Sequence, residues 1–144
     1  MSALHVICKV GDAEYAVSAD EVYQMDTYTG ATPVPGAAAY MLGLVQIRQQ
    51  IIPVLDVRTR FGLPAIQPTL ESRVVVLKIA ERLVGIVVDS AREVQNIPAE
   101  QFKAPPSVVT EQSSGFVKSI AQLKNRIIML LDTPKVIGEE VSHG

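Results

Sequence analysis

The sequence predicts an all-β fold with short helices, arranged as two small barrels packed together, and three observations carry that expectation. Apolar residues recur with the two-residue period of strands rather than the helical period. Turn-forming residues interrupt them roughly every 8 to 12 positions, with no regular crossover helices between. One stretch is repeated: residues 51–62, Ile-Ile-Pro-Val-Leu-Asp-Val-Arg-Thr-Arg-Phe-Gly, align without gaps to residues 127–138, Ile-Ile-Met-Leu-Leu-Asp-Thr-Pro-Lys-Val-Ile-Gly. A barrel of about 65 residues is marginal alone, so two related units gain by burying one wall of each against the other.

Taken in order, Leu4, Val6, Cys8 and Val10 alternate with His5 and Lys9, Gly11-Asp12-Ala13 turns the chain, and residues 15–17 resume the pattern as a hairpin. Residues 22–28 form a third strand. Pro33, Pro35 and Gly36 break the chain, and residues 37–42 are expected as a short helix. Residues 43–48 and 51–55 read as strands joined through Gln49-Gln50, with Pro53 demanding a sheet edge or a bulge because it has no N–H to donate. Residues 56–61 suit a single helical turn closed by Gly62, and residues 63–70, with two prolines, a loop. Residues 73–80 and 83–88 make a hairpin around Glu81-Arg82, apolar enough to be covered on both faces. A strand over 92–97 follows, then a long connection marked by Pro98, Pro105 and Pro106. The last hairpin joins residues 115–123 to 126–131 through Lys124-Asn125, and Thr133 before Pro134 is expected as N-cap and first helical residue of a short C-terminal helix that ends near 138–141.

The 144 residues suit one domain, in which residues 15–70 supply most of one barrel and residues 72–132 most of the other, with the N-terminal strand and the C-terminal helix completing the packing. Thirteen Lys and Arg against 15 Asp and Glu, the basic residues scattered singly, leave no footprint for nucleic acid or anionic lipid. No apolar run approaches the roughly 18 to 20 residues that span a bilayer. The N-terminus has no basic flank and Lys9 interrupts its apolar stretch, so the expected compartment is the cytoplasm.

Reactive chemistry is sparse. The single cysteine, Cys8, is expected as a buried hydrophobe, and His5 and His143 as solvent-facing residues of a strand and a tail. Two histidines and one cysteine make no zinc site, so no metal is expected, and the isolated glycines make no phosphate loop and no nucleotide cofactor site. Asp56, Asp89 and Asp132 each follow an apolar strand and would converge in a catalytic reading, whereas strand-end aspartates ordinarily cap the next turn. Pro53-Val-Leu-Asp56 resembles the phosphoacceptor strand of a response-regulator receiver, with Lys103 as the lysine that reading would need. It fails because the chain has neither the early acidic pair for Mg²⁺ nor the alternating helices. No catalytic constellation is complete, and the chain is expected to be a binder rather than an enzyme.

Residues 43–58, Gly-Leu-Val-Gln-Ile-Arg-Gln-Gln-Ile-Ile-Pro-Val-Leu-Asp-Val-Arg, resemble the signature of CheW-type chemotaxis coupling proteins. Leu83-Val-Gly-Ile-Val-Val-Asp89, running on through Glu93-Val94, resembles that family's second signature. The resemblance implies two five-stranded SH3-like barrels and an adaptor that is a monomer in isolation. Its partners would be the hairpin tip of a methyl-accepting chemoreceptor, lying in the groove between barrels, and the regulatory domain of a CheA-type histidine kinase. It also implies that Val22 and Arg48 serve receptor contact or kinase coupling. The chain departs from the family at Gln24, where Glu is frequent, at Gln46, where Asn is usual, and at Gln49, where a turn glycine is expected. These three complete the candidate partner surface. Loss of the glycine is expected to reshape the hairpin, which leaves an alternative: a divergent module that binds a receptor or another scaffold without productive kinase coupling.

Overall fold

The computed structural model describes residues 3–138, and among these it contains eleven strands, three short α-helices and two single 3-10 turns at Ala19–Glu21 and Ala99–Gln101. The strands are β1 (Leu4–Val10), β2 (Ala13–Ser18), β3 (Val22–Thr27), β4 (Met41–Ile47), β5 (Gln50–Asp56), β6 (Arg73–Ile79), β7 (Arg82–Val88), β8 (Ser90–Asn96), β9 (Phe102–Lys103), β10 (Val117–Leu123) and β11 (Arg126–Leu131). The helices are α1 (Val57–Arg60), α2 (Ser107–Gln112) and α3 (Thr133–Ile137).

Two sheets share these strands, in the orders β3-β6-β7-β5-β4 and β8-β1-β2-β11-β10-β9. The pattern is a duplication with its hairpins exchanged. Each half of the chain runs as a hairpin (β1-β2 or β6-β7), a third strand (β3 or β8), and a second hairpin closed by a helix (β4-β5-α1 or β10-β11-α3). Yet β6 and β7 of the second half pair with β3 and β5 of the first, while β1 and β2 pair with β8 and β11. The expected division near residues 70–72 is therefore corrected: the whole β1-β2 hairpin, not only an N-terminal strand, belongs with the C-terminal unit, and residues 73–88 belong with the first. The exchange rests on parallel pairing between distant segments, Val54 with Gly85 and Leu130 with Ala16, which local periodicity does not encode. Small residues at both crossings let the strands approach, since a Cβ on Gly85 would lie 2.7 Å from side-chain atoms of Val54 and Val74.

Three apolar clusters result. Tyr28, Ile47, Ile52, Val54, Val74 and Val76 fill the first barrel, and Ile7, Ala16, Ile97, Ala121 and Ile128 the second. Between them lies a larger shared core drawn from both units, including Cys8, Val17, Leu55, Val75, Leu77, Ile86 and Leu131. Residues 74–77 are all buried because alternate side chains enter the first barrel and the shared core, as expected of a strand covered on both faces. Cys8 is fully buried, and burial pushes its thiol up to about 12.

Several local expectations are corrected. Residues 37–42 form turns and enter β4, because so short a segment cannot nucleate a helix against the competing ladder with β5. Two turns shift by one residue, to Arg48-Gln49 and Ala80-Glu81. Strand β5 lies inside its sheet, but its pairing with β7 begins only at Val54, so Pro53 has a single neighbouring strand and its missing N–H leaves no gap in the ladder. His5 is buried, not solvent-facing: β1 is flanked on both sides, the ring's Nδ1 lies 2.8 Å from the Ala3 carbonyl oxygen, and the ring tilts against Phe102 at 5.1 Å. His143 and the expected helical residues beyond 138 lie outside the described residues. The long connection contains β9 and α2. Strand β9 is the second unit's version of a bridge in the first: Lys103 pairs with Ile120 as Thr32 pairs with Leu44.

Candidate partner surface

The three strand-end aspartates do not converge. Asp56 caps α1, its Oδ1 accepting from the Arg58 N–H at 3.0 Å and its Oδ2 from the Thr59 hydroxyl at 2.9 Å. Asp132 caps α3, accepting from the Lys135 N–H at 3.3 Å, so the cap lies one residue before the expected Thr133. Thr133 instead opens the helix, buried, its hydroxyl donating to Glu21 at 2.9 Å. Asp89 receives a two-pronged contact from Arg58, Nε at 2.9 Å and Nη2 at 2.8 Å, and the Gly11 N–H at 2.8 Å. Burial, the largest influence on its carboxyl, raises the pKa, but the Arg58 and Gly11 hydrogen bonds outweigh it and the net displacement is downward. Both signatures meet here: Asp56 and Arg58 of one and Asp89 of the other tie the helical turn after β5 to the strand end after β7 and to the β1-β2 turn. Their spacing records an internal fastening.

The five candidate residues lie on the two outer strands of the first sheet and the turn that follows one of them. Strand β3 carries Val22 and Gln24, and the β4-β5 hairpin carries Gln46, Arg48 and Gln49. Strands β3 and β4 are opposite ends of the sheet, and Arg48 bridges them: its guanidinium carbon lies 5.5 Å from the Tyr23 ring centroid. This cation–π contact brings the β4-β5 turn against β3. Gln46, Arg48 and Gln49 are exposed; Val22 is half-buried, packed against the shared core. Gln24 is half-buried, and its Oε1 is shut from solvent with no hydrogen-bond partner. A cleft of about 490 Å³ continues the rim between residues 26–32 and 44–47.

Arg48 (φ 53) and Gln49 (φ 65) both adopt left-handed backbone, so the expected reshaping of this hairpin does not occur. The ladder from Ile47↔Gln50 to Leu44↔Pro53 is regular, and Gln49 occupies the conformation a glycine would take. Gly43, by contrast, is irreplaceable: at φ +141 a Cβ would lie 2.0 Å from the Thr32 carbonyl oxygen.

Sequence reasoning missed two neighbours. Ile51, directly across from Gln46, is 71 % exposed, and Tyr23 holds Arg48. Alternation in β5 could have found the first, since Ile52 and Val54 face the barrel and Ile51 must face away.

A second surface lies between the units and uses none of the five. Phe61 after α1 stacks on Phe116 at 5.2 Å and tilts against Tyr15 at 5.3 Å. With Leu63, Val109 and Met129 these rings line an apolar cleft of about 480 Å³. Arg60 borders it, its guanidinium over Tyr40 at 4.3 Å and Phe116 at 5.0 Å while donating to the carbonyls of Val136 and Lys135. The same side chain therefore joins α1 to α3.

Comparison with known proteins agrees with this architecture across the chain. A chemotaxis protein CheW of Rhizobium meliloti is 28% identical over 132 residues, 92% of this chain and 85% of that protein. A chemotaxis protein CheW of Bacillus subtilis is 28% identical over 138 residues, 96% of this chain and 88% of that protein. The crystal structure of the scaffolding protein TtCheW from Thermoanaerobacter tengcongensis superimposes with a TM-score of 0.83 at 26% identity, covering 92% of this chain and 90% of that one. The family model described as CheW-like domain matches residues 5–141. With two SH3-like units, their exchanged hairpins and both signatures at one fastening, this chain belongs to the CheW-like domain family.

Proposed function

We propose that this chain is a non-enzymatic adaptor of a bacterial chemotaxis-like signalling pathway. It couples the cytoplasmic tip of a methyl-accepting chemoreceptor to the regulatory domain of a CheA-type histidine kinase. The observation that carries the reading is the separation of two unlike surfaces on one double barrel. The rim around Arg48 is exposed and of mixed character, with Gln46, Arg48 and Gln49 beside Ile51; the cleft around Phe61 and Phe116 is apolar and sits between the units. An adaptor needs two such surfaces, because both partners must be held at once and each must be recognised by different chemistry. The cleft suits an apolar stripe of helical receptor, and the rim suits the kinase domain. The chain works in the cytoplasm and gathers at receptor arrays through these contacts.

No turnover belongs to this function. Asp56 uses both carboxylate oxygens in capping α1, the structural role of a strand-end aspartate, and the turn it caps needs no phosphoacceptor. The reading without kinase coupling rested on Gln46 and Gln49; with Gln49 at φ 65 the hairpin keeps the shape a glycine would give it, which removes one of those two supports.

Two variants test the division of labour by titration against purified kinase regulatory domain and receptor cytoplasmic fragment, each taken separately. Arg48→Ala removes an exposed cation and should weaken the kinase by about tenfold while sparing the receptor. Val109→Asp places a charge in the apolar cleft and should do the reverse. Unchanged affinity of both variants for both partners would refute the assignment. Stoichiometric phosphate on Asp56, lost in Asp56→Asn, would refute the adaptor-only reading.

A further inference from the structure

The exchanged duplication gives the paired strand positions of one unit counterparts in the other, and one pair of counterparts is unequally satisfied. Across the first sheet, Gln24 faces Val76, Val76 faces Gly85, and Gly85 faces Val54. Across the second, Glu93 faces Ile7, Ile7 faces Ala16, and Ala16 faces Leu130. Val54 and Leu130 are matched by the sequence repeat, so Gln24 and Glu93 hold the same place in the two barrels. Glu93 is filled from within the chain: Arg126 donates Nη1 to Oε2 at 2.9 Å and Nη2 to Oε1 at 2.7 Å, and also reaches Glu14. The residue matched to Arg126 in the first unit is Gln50, an exposed side chain shorter than arginine and without a cation. Gln24 keeps the acceptor and lacks the donor: its Oε1 is closed to solvent and has no hydrogen-bond partner within the chain.

The geometry points to Gln24 as the acceptor for a guanidinium supplied in trans by the kinase regulatory domain, replacing across the interface the contact that Arg126 makes to Glu93 within the second unit. This rests on the coupling function proposed above and adds to it the chemistry of one contact. An unpaired buried amide oxygen destabilises the free chain, whereas a charged donor makes a stronger bond to it than a neutral one. Gln24 follows Tyr23, over whose ring the Arg48 guanidinium lies, on the rim assigned above to the kinase, and docking there uncovers Oε1. Asp26, exposed two residues along β3, adds negative charge to the same edge.

The test compares Gln24→Leu and Gln24→Glu with the unaltered full chain by titration calorimetry against purified CheA-type kinase regulatory domain, with thermal unfolding in parallel. Gln24→Leu removes the orphan acceptor at similar volume, so its melting temperature should rise while kinase affinity falls about tenfold, the loss of one hydrogen bond to a charged donor. Gln24→Glu should bind at least as tightly as the unaltered chain. Alanine substitution of surface arginines on the kinase domain should then find one whose loss weakens the unaltered chain but costs nothing further against Gln24→Leu. Equal affinity of Gln24→Leu and the unaltered chain, or no arginine coupled to position 24, overturns the proposal while leaving the coupling function standing. Absence of any kinase binding by the unaltered chain overturns both.

Discussion

A two-residue hairpin turn with both residues left-handed ordinarily takes Asn-Gly, because a Cβ at positive φ crowds the following carbonyl. Arg48 and Gln49 adopt that backbone with full side chains. The ladder on either side and the Tyr23 contact hold them there, so the turn carries strain at the rim where a partner is expected. Gln49→Gly should therefore stabilise the chain by about 1 kcal/mol, the relief of one left-handed side chain, seen as a higher midpoint in urea with unchanged slope. A lower midpoint would mean that the Gln49 side chain makes stabilising contacts that outweigh its backbone. The resemblance to the family signature made Gln49 conspicuous as a missing glycine, but not that the surrounding strands would impose glycine's conformation on it.

At the scale of elements, β5 and β11 are the clearest copies. Each is flanked by an antiparallel partner and a parallel one, each ends in an aspartate that caps a short helix, and the amides of Asp56 and Asp132 bond to the carbonyls of Tyr40 and Phe116 at 2.7 and 2.8 Å. Leu55 and Leu131 enter the shared core at 6 % and 3 % exposure, so Leu55→Ala and Leu131→Ala should each cost ~2 to 5 kcal/mol. Ile51 and Ile127, at 71 % and 61 % exposure, should tolerate alanine with little loss in the same denaturation assay. A large loss at Ile51 or a small one at Leu55 would reverse the assigned strand faces. This duplication was legible because it survives as contiguous residues with a shared Ile-Ile and Asp. The short helix expected at 37–42 failed because local propensity lost to a ladder whose partner lies more than ten positions along the chain. Strand β9 was hidden because two residues between prolines carry no period.

For the whole molecule, the exchange of hairpins means that neither sheet is complete within one half of the chain, and long-range polar ties hold the exchange shut. Asp89, after β7, grips Arg58 and the β1-β2 turn at Gly11; Glu93, on β8, grips Arg126 of β11, which also holds Glu14 of β2. None of this was legible in the sequence beyond the signature residues, since a pairing between distant charges leaves no local pattern. Both ties depend on ionised carboxylates. The Arg126 fork, with the Gln95 amide assisting, lowers the Glu93 pKa from the ordinary 4.5 to about 2, and Asp89 is displaced downward from 3.8. A carboxyl whose folded pKa lies below its unfolded one contributes stability above the unfolded value and loses it as pH falls toward the folded value. Stability from these ties should therefore be constant from pH 7 to about 5 and decline between about 4.5 and 2. Glu93 is partly exposed, at 36% of its side chain, so solvent screens its pair and its share of the decline is modest. Urea midpoints across this range should fall less steeply for Glu93→Gln than for the unaltered chain, because the variant has no carboxyl left to protonate there. Parallel curves for the two proteins would mean that the Arg126 fork does not hold the exchanged hairpin, and that acid acts at Asp89 and elsewhere.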